Sequence, residues 1–439
     1  MRIKIQDKNN FLKTFNEIYP AHKIQDINGI SIDSRMIESN DIFIPFAGGS
    51  FDGHEFINNV LKKDGTICLS EKKSTTSNRI ICTPSNKNAL LNLASSWRKK
   101  MKSEVIAITG SNGKTTAKEL LYHIIKDQYK CSKSAGNHNS TIGLPLSLFN
   151  CNIDDDFTIL ELGANQPGEI KILCDFVQPD FSLITNISNA HIENFNSLKD
   201  IVKTKSAIFT SLKTSGIAFM NLNDKAISNI SIKNKRITFG FNNKNADYNG
   251  IIKSNSKIKI NDSIFNISGT ISHLIETILA VYAICKTLGL NDNDFQKGLN
   301  SFSIPNGRGK VKNIDGLKII DDAYNANPAS MEFGIMRLSK TTCENKKILI
   351  IGDMLELGDS KIDEHKKIAK LINKSNIDIV LTFGDTIEYT MKELSNKFLY
   401  KEHFNNIDLL KKKFKEIAEK NDLIYIKGSR SMQLERIYN

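Results

Sequence analysis

The sequence has no apolar run long enough to cross a bilayer. Its uninterrupted stretches, such as Ile348-Leu349-Ile350-Ile351, fall far short of the ~18 to 20 residues that a spanning helix needs, so no membrane insertion is expected. The N-terminus, Met1-Arg2-Ile3-Lys4-Ile5-Gln6-Asp7-Lys8, lacks the apolar core of a secretion signal, and a cytoplasmic address is expected. Cysteine forms no pattern. The seven, at 68, 82, 131, 151, 174, 285 and 343, are odd in number and contain no C-x-x-C pair, which argues against a zinc site or disulfide framework. There is no repeat of solenoid period and no long basic tail.

What remains is the composition of a globular protein: 439 residues, 40% apolar, enough for two to four domains at roughly 100 to 200 residues each. Lys and Arg number 60 against 48 Asp and Glu, a net charge of +12. The excess is spread along the chain beside abundant Asn and Ile, as drift toward AT-rich codons would produce. No nucleic-acid partner is expected, whereas an anionic small substrate is compatible. A monomer is the default.

Hydrophobic patterning predicts an α/β protein of three domains. Residues 1–100 hold short strand-like pieces (42–44, 66–69) closed by a helix near 89–100, a small α/β domain. Over 101–308, strand-like segments at 104–109, 157–162, 181–187, 216–221 and 236–241 alternate with helical patterns, which predicts a parallel sheet covered by helices. Period-two alternation over 250–270 predicts a small antiparallel addition, and Leu274, Ile275, Ile278, Leu279 and Tyr282 fall on one helical face. After Pro305-Asn306-Gly307-Arg308-Gly309, residues 309–439 carry strands near 317–320, 346–351, 377–383 and 422–426, a Rossmann-like doubly wound domain.

The strongest chemical signal is Thr109-Gly110-Ser111-Asn112-Gly113-Lys114-Thr115-Thr116, between a predicted strand and a predicted helix. Its glycines let successive N–H groups turn toward a phosphate, the helix N-terminus favours negative charge, Lys114 supplies a cation and the Thr115 hydroxyl can meet Mg2+. A general Walker pattern would also place Gly at 108, where this chain has Ile108.

In this shortened form the loop resembles that of the Mur ligase superfamily. Matches follow in order: Ala135-Gly136-Asn137-His138-Asn139, Ile142-Gly143-Leu144-Pro145, Glu161-Leu162-Gly163-Ala164-Asn165, Gly168-Glu169-Ile170 and Thr185-Asn186-Ile187-Ser188-Asn189-Ala190-His191. In the third domain, Asp321-Asp322-Ala323-Tyr324-Asn325-Ala326-Asn327-Pro328, Gly352-Asp353-Met354-Leu355-Glu356-Leu357-Gly358 and Lys427-Gly428-Ser429-Arg430 are similar to the family member that adds D-alanyl-D-alanine. Asp33-Ser34-Arg35 and Phe51-Asp52-Gly53-His54 resemble its UDP-sugar domain.

The resemblance implies an ATP-dependent ligase of peptidoglycan precursor synthesis that joins UDP-N-acetylmuramoyl-tripeptide to D-alanyl-D-alanine. A carboxylate is a poor electrophile, and the family activates it as an acyl phosphate, which an amine then attacks. Catalysis is then largely positioning and charge neutralisation. By the same resemblance, Thr115 and Glu161 hold one Mg2+ and His191 a second, helped by Lys205 if that lysine is carbamylated. Arg308 reaches the ATP phosphates and Asp322 meets the ribose. Tyr324, Asn325, Asn327, Asp353, Leu357, Lys427 and Arg430 border the dipeptide, whose carboxylate suits the Arg430 fork. Asn137, Asn139 and Thr141 lie near the UDP-linked substrate, while Asp33, Ser34, Arg35 and His54 belong to its N-terminal site.

The chain departs from the family at one place. The usual His-Asn-x-x-Asn pattern, whose asparagine contacts adenine, is here Ser272-His273-Leu274-Ile275-Glu276, so base affinity or selectivity is expected to differ. Two other readings are a related muramyl ligase or folylpolyglutamate synthase, and a P-loop NTPase acting as a switch or motor. The second would need neither the Glu161, His191 and Lys205 group nor this order of domains.

Overall fold

The computed structural model describes residues 1–49, 51–72, 77–189, 192–195 and 197–438. Among them, three larger sheets follow one another along the chain. The first runs Arg2–Lys4, Gly29–Ser31, Asp41–Phe43, Ile67–Ser70, Ile80–Cys82 across its width, parallel except for the first pair. The helix Asn86–Lys100, capped by Ser85 Oγ, ends this unit and is also its seam to the next. Its Trp97 is fully buried and donates from Nε1 to Leu148 O at 3.1 Å. Arg98, also buried, donates to Val177 O (2.8 Å) and Met101 O (3.2 Å). N-terminal residues such as Phe11, Phe15 and Ile30 therefore share one apolar core with Leu144, Phe149, Leu160 and Phe176 of the central unit.

The central sheet has nine strands, in the order Ser263–Asn266, Lys257–Ile260, Tyr248–Ser254, Lys235–Phe241, Ile217–Asn221, Phe181–Ile184, Glu104–Thr109, Phe157–Glu161, Cys131–Lys133. Its middle is parallel, and the two strands at the Ser263 edge add antiparallel, as the alternation over 250–270 predicts. Glu104–Thr109 lies between two later strands, so the chain departs to opposite sides from its C-terminal end. That switch point opens a crevice above the sheet. Interior strands are buried on both faces, which is why they read as continuous apolar runs.

The third sheet runs Lys310–Ile314, Leu317–Asp321, Leu423–Lys427, Lys347–Gly352, Ile379–Phe383, Tyr400–Phe404, parallel except for its first strand. This is a doubly wound order with its switch between Lys347–Gly352 and Leu423–Lys427. Sequence patterning misses the edge strands Cys131–Lys133, Lys310–Ile314 and Tyr400–Phe404. Their residues are half-buried and largely polar, so no apolar run marks them. The helix after the antiparallel strands spans Ile275–Thr287; Ser272–Leu274 forms a separate 3-10 turn before it. All seven cysteines are free thiols. Among the described residues no helix is long and apolar enough to cross a membrane.

Candidate active site

The C-terminal ends of the central and third sheets face a common cleft of about 930 Å3. Its floor is the turn between Glu104–Thr109 and the helix Lys114–Ile125. Gly110 has φ +150°, and a Cβ there would lie 1.9 Å from Thr185 Oγ1; Gly113, at φ +80°, starts the helix. These two positions need glycine for close approach and for a left-handed turn respectively. The turn is braced from the next strand's loop: Ser111 N donates to Asn186 O (2.9 Å), Asn112 N to Asn186 Oδ1 (3.0 Å) and Thr185 Oγ1 to Asn112 O (2.6 Å).

Of the predicted phosphate-loop residues, Ser111, Asn112, Gly113, Lys114, Thr115 and Thr116 line the cleft. Thr109 stands beneath them, buried, its hydroxyl donating to Leu162 O (2.8 Å). Lys114 Nζ donates to Gly110 O at 2.8 Å, and loss of hydration lowers its pKa. Thr115 Oγ1 donates to Glu161 Oε2 (2.8 Å), and Asn139 Nδ2 to Glu161 Oε1 (2.7 Å). Gly163 lets Asn139 approach, since a Cβ there would lie 2.7 Å from its amide carbon.

Lys205 projects from the helix Leu198–Thr210 under the loop and donates to Gly110 O at 3.1 Å. Burial, and secondarily the charge of Lys114, pushes its pKa down to about 7. His191 lies outside the described residues.

From the junction that leads into the third unit, Arg308 reaches across and donates from Nη2 to Thr115 Oγ1 (3.0 Å), its guanidinium 3.6 Å from the centre of the Tyr324 ring. Asn327 Nδ2 donates to Asn112 Oδ1 (2.7 Å), while its Oδ1 caps the helix Pro328–Lys340. Asp322 Oδ2 accepts from Tyr425 Oη (2.6 Å) and Lys427 Nζ (2.7 Å); Lys427 also donates to Asn325 O (3.0 Å). The lysine thus holds Asp322 and the Asn325 turn in place. Arg430 lies at the rim and pairs with Glu435 (2.7 Å).

Other predicted residues stand apart from the cleft walls. Asp353 is buried, its Oδ1 accepting from the Thr386 and Ile387 amides (3.0 and 2.7 Å), and Leu357 is packed in the third unit's core. Thr141 is buried and does not line the cleft, whereas Asn137 and Asn139 do. Asp33, Ser34, Arg35 and His54 lie on the N-terminal unit and do not line it. There Arg35 forks onto Asp33 (2.8 and 2.7 Å), and this bonding holds the Asp33 carboxyl well below the usual range. His54 is buried, its Nδ1 2.7 Å from Asp52 Oδ1.

The motifs did not single out Lys118, Arg337 or Phe333. Lys118 is a fully buried lysine one turn beyond Thr115. Arg337 donates to Gly309 O (3.1 Å), and both Arg337 and the exposed Phe333 line the cleft opposite His273. Both imidazole nitrogens of His273 are buried. Sequence offers only a faint signal for these, a basic and an aromatic residue on one face of the helix that Pro328 opens.

Family comparison accounts for nearly the whole chain. The Mur ligase family, catalytic domain model matches residues 26–96, the Mur ligase middle domain 108–289, and the Mur ligase, glutamate ligase domain 307–430. The UDP-N-acetylmuramoyl-tripeptide--D-alanyl-D-alanine ligase of Bacillus subtilis (strain 168) is 32% identical over 95% of this chain and 94% of its own. The chain belongs to the Mur ligase family. The ligase of the same name from Buchnera aphidicola subsp. Baizongia pistaciae is 34% identical over 99% of this chain and 96% of its own. Among solved Mur ligases, the crystal structure of MurF ligase from Thermotoga maritima in complex with ADP superposes with a TM-score of 0.81 at 28% identity, covering 93% of this chain and 95% of that one.

Proposed function

We propose that this protein is the ATP-dependent ligase that joins D-alanyl-D-alanine to UDP-N-acetylmuramoyl-tripeptide, giving the pentapeptide precursor of peptidoglycan with ADP and phosphate. The observation that carries the reading is the junction of Arg308 with Thr115 of the phosphate loop, itself bonded to Glu161 at the end of the neighbouring strand, at the floor of a cleft between two units. Full-length relatives bearing that name support it. Three functional units follow: 1–100 for the UDP-sugar, 101–308 for ATP and 309–439 for the dipeptide.

In this reading the tripeptide's terminal carboxylate oxygen attacks the γ-phosphorus of ATP, and ADP leaves. The dipeptide amine attacks the acyl carbon, phosphate leaves, and the nitrogen loses a proton. The amides at the N-terminus of the helix, residues 113–116, and the Lys114 ammonium hold the β- and γ-phosphates. Arg308, fixed against the Tyr324 ring, neutralises transferring charge only when the third unit meets the central one. Asp322 receives the ribose, Asn137 and Asn139 orient the UDP-linked substrate, and Arg430 takes the dipeptide carboxylate.

The donor set fits Mg2+. The Thr115 hydroxyl and Glu161 carboxylate are hard oxygen donors 2.8 Å apart, and Mg2+ is commonly held by one or two such groups with phosphate oxygens. The ion would supply charge neutralisation of the phosphates. As an ammonium, Lys205 has no lone pair to offer a second ion. Its buried nitrogen, free near neutral pH, suits attack on CO2; the N–C bond forms, a proton leaves, and the carbamate gives anionic oxygen beside the loop.

Phosphate release from ATP tests the assignment. Turnover is expected only with UDP-muramoyl-tripeptide and D-alanyl-D-alanine together. Turnover on tetrahydrofolate and glutamate, or ATPase activity stimulated by nucleic acid, would overturn it.

A further inference from the structure

Lys118 carries a charge into the interior of the central unit. Its side chain is fully buried, and it does not line the cleft. A buried ammonium needs partners for three N–H donors. Nζ donates to Ser134 O at 2.8 Å and Gly136 O at 2.6 Å, with Glu119 and Glu161 carboxylates at 3.4 and 3.8 Å.

Those two carbonyls open a short arch, residues 134–139, that leaves the edge strand Cys131–Lys133 through Gly136 at φ +47°. The far end of the arch is tied by Asn139, whose Nδ2 donates to Glu161 Oε1 (2.7 Å) and whose carbonyl accepts from Gly163 N (2.8 Å). At the near end, Ser134 Oγ accepts from Glu161 N (3.1 Å). Both ends of the arch thus close on Glu161, and the near end also closes on the phosphate-loop helix through Lys118. An apolar residue at 118 would leave two carbonyls without their donor.

The geometry points to Lys118 as a positioning residue for the UDP-linked substrate: it locks the arch to the phosphate-loop helix so that Asn137 and Asn139 face the cleft in register with Glu161. This role rests on the function proposed above. Lys118 stands behind the cleft wall, 3.8 Å from the Glu161 carboxylate and itself outside the lining, so its loss removes no direct contact to the nucleotide.

The test compares wild type with Lys118→Met, using KM for each of the three substrates from phosphate release, and ADP affinity by displacement of a fluorescent ADP analogue. Two orphaned carbonyls are expected to raise KM for UDP-muramoyl-tripeptide by about tenfold or more, with ADP affinity within about threefold of wild type. An unchanged KM, or an equal weakening of ADP and tripeptide binding, would overturn the role. Should Lys118→Met not fold, Lys118→Arg decides. It keeps the charge but shifts the donors, and a selective rise in the same KM by about threefold or more is expected; no rise, or a rise shared with ADP, counts against the proposal. Absence of wild-type turnover with both substrates would sink the functional reading and the Lys118 role with it. Wild-type turnover with an unselective variant would sink the Lys118 role alone.

Discussion

Lys205 shows how burial changes the chemistry open to a single residue. Exposed, its nitrogen would be an ammonium at any physiological pH; under the phosphate loop it is pushed down to about 7. Below that pH the nitrogen is protonated and has no lone pair for CO2. At limiting bicarbonate, wild-type activity is therefore expected to fall as pH drops through about 7. Lys205→Ala is expected to lose activity by about 100-fold or more, with short carboxylic acids restoring part of it. The restored variant should lack the limb near pH 7. Full activity of Lys205→Ala without any supplement would dismiss the carbamate.

Among the elements, the 3-10 turn Ser272–Leu274 places His273 against Gly309 and the guanidinium of Arg337. Burial, reinforced by Arg337, lowers the His273 pKa to about 3. The folded protein then binds no proton at this ring between about pH 6.5 and 3, while the unfolded chain does, so stability attributable to this group falls as pH falls through that window. At pH 5 the loss is about 2 kcal/mol, because each pH step below the unfolded chain's pKa of about 6.5 costs roughly 1.4 kcal/mol. His273→Gln removes the titration. Its melting temperature relative to wild type should rise on acidification from pH 7 to 5, measured by thermal unfolding at each pH; a constant difference would place the acid sensitivity elsewhere.

Across the full chain, the decisive contacts run between units. Arg308 to Thr115 and Asn327 to Asn112 join the third unit to the phosphate loop, and Glu193 N donates to Glu356 O (3.2 Å) beside them. A cation delivered by closure acts on the transition state more than on bound nucleotide. Arg308→Lys loses the fork and its stacking on Tyr324 while keeping the charge. We expect kcat to fall by about 100-fold with ADP affinity changed by less than about tenfold. A matched loss in both would make Arg308 a ground-state phosphate contact instead.

What could be read along the chain is what local spacing encodes. The phosphate loop is legible because Gly110, Gly113, Lys114 and Thr115 act through their own backbone and neighbouring turn. The interior strands are legible because burial on both faces demands unbroken apolar residues. The edge strands such as Tyr400–Phe404 are not, since half-solvated chain needs no such run. Which charges are already partnered emerges only once distant segments pack. Lys427, which lines the cleft, also holds Asp322; Asp353 accepts from the Thr386 and Ile387 amides; Lys118, unremarkable inside an amphipathic helix, is wholly buried and bonded to two carbonyls. A side chain's type and spacing are properties of the chain, but its hydration and its partners come from segments far away in sequence, and those set what its charge can do.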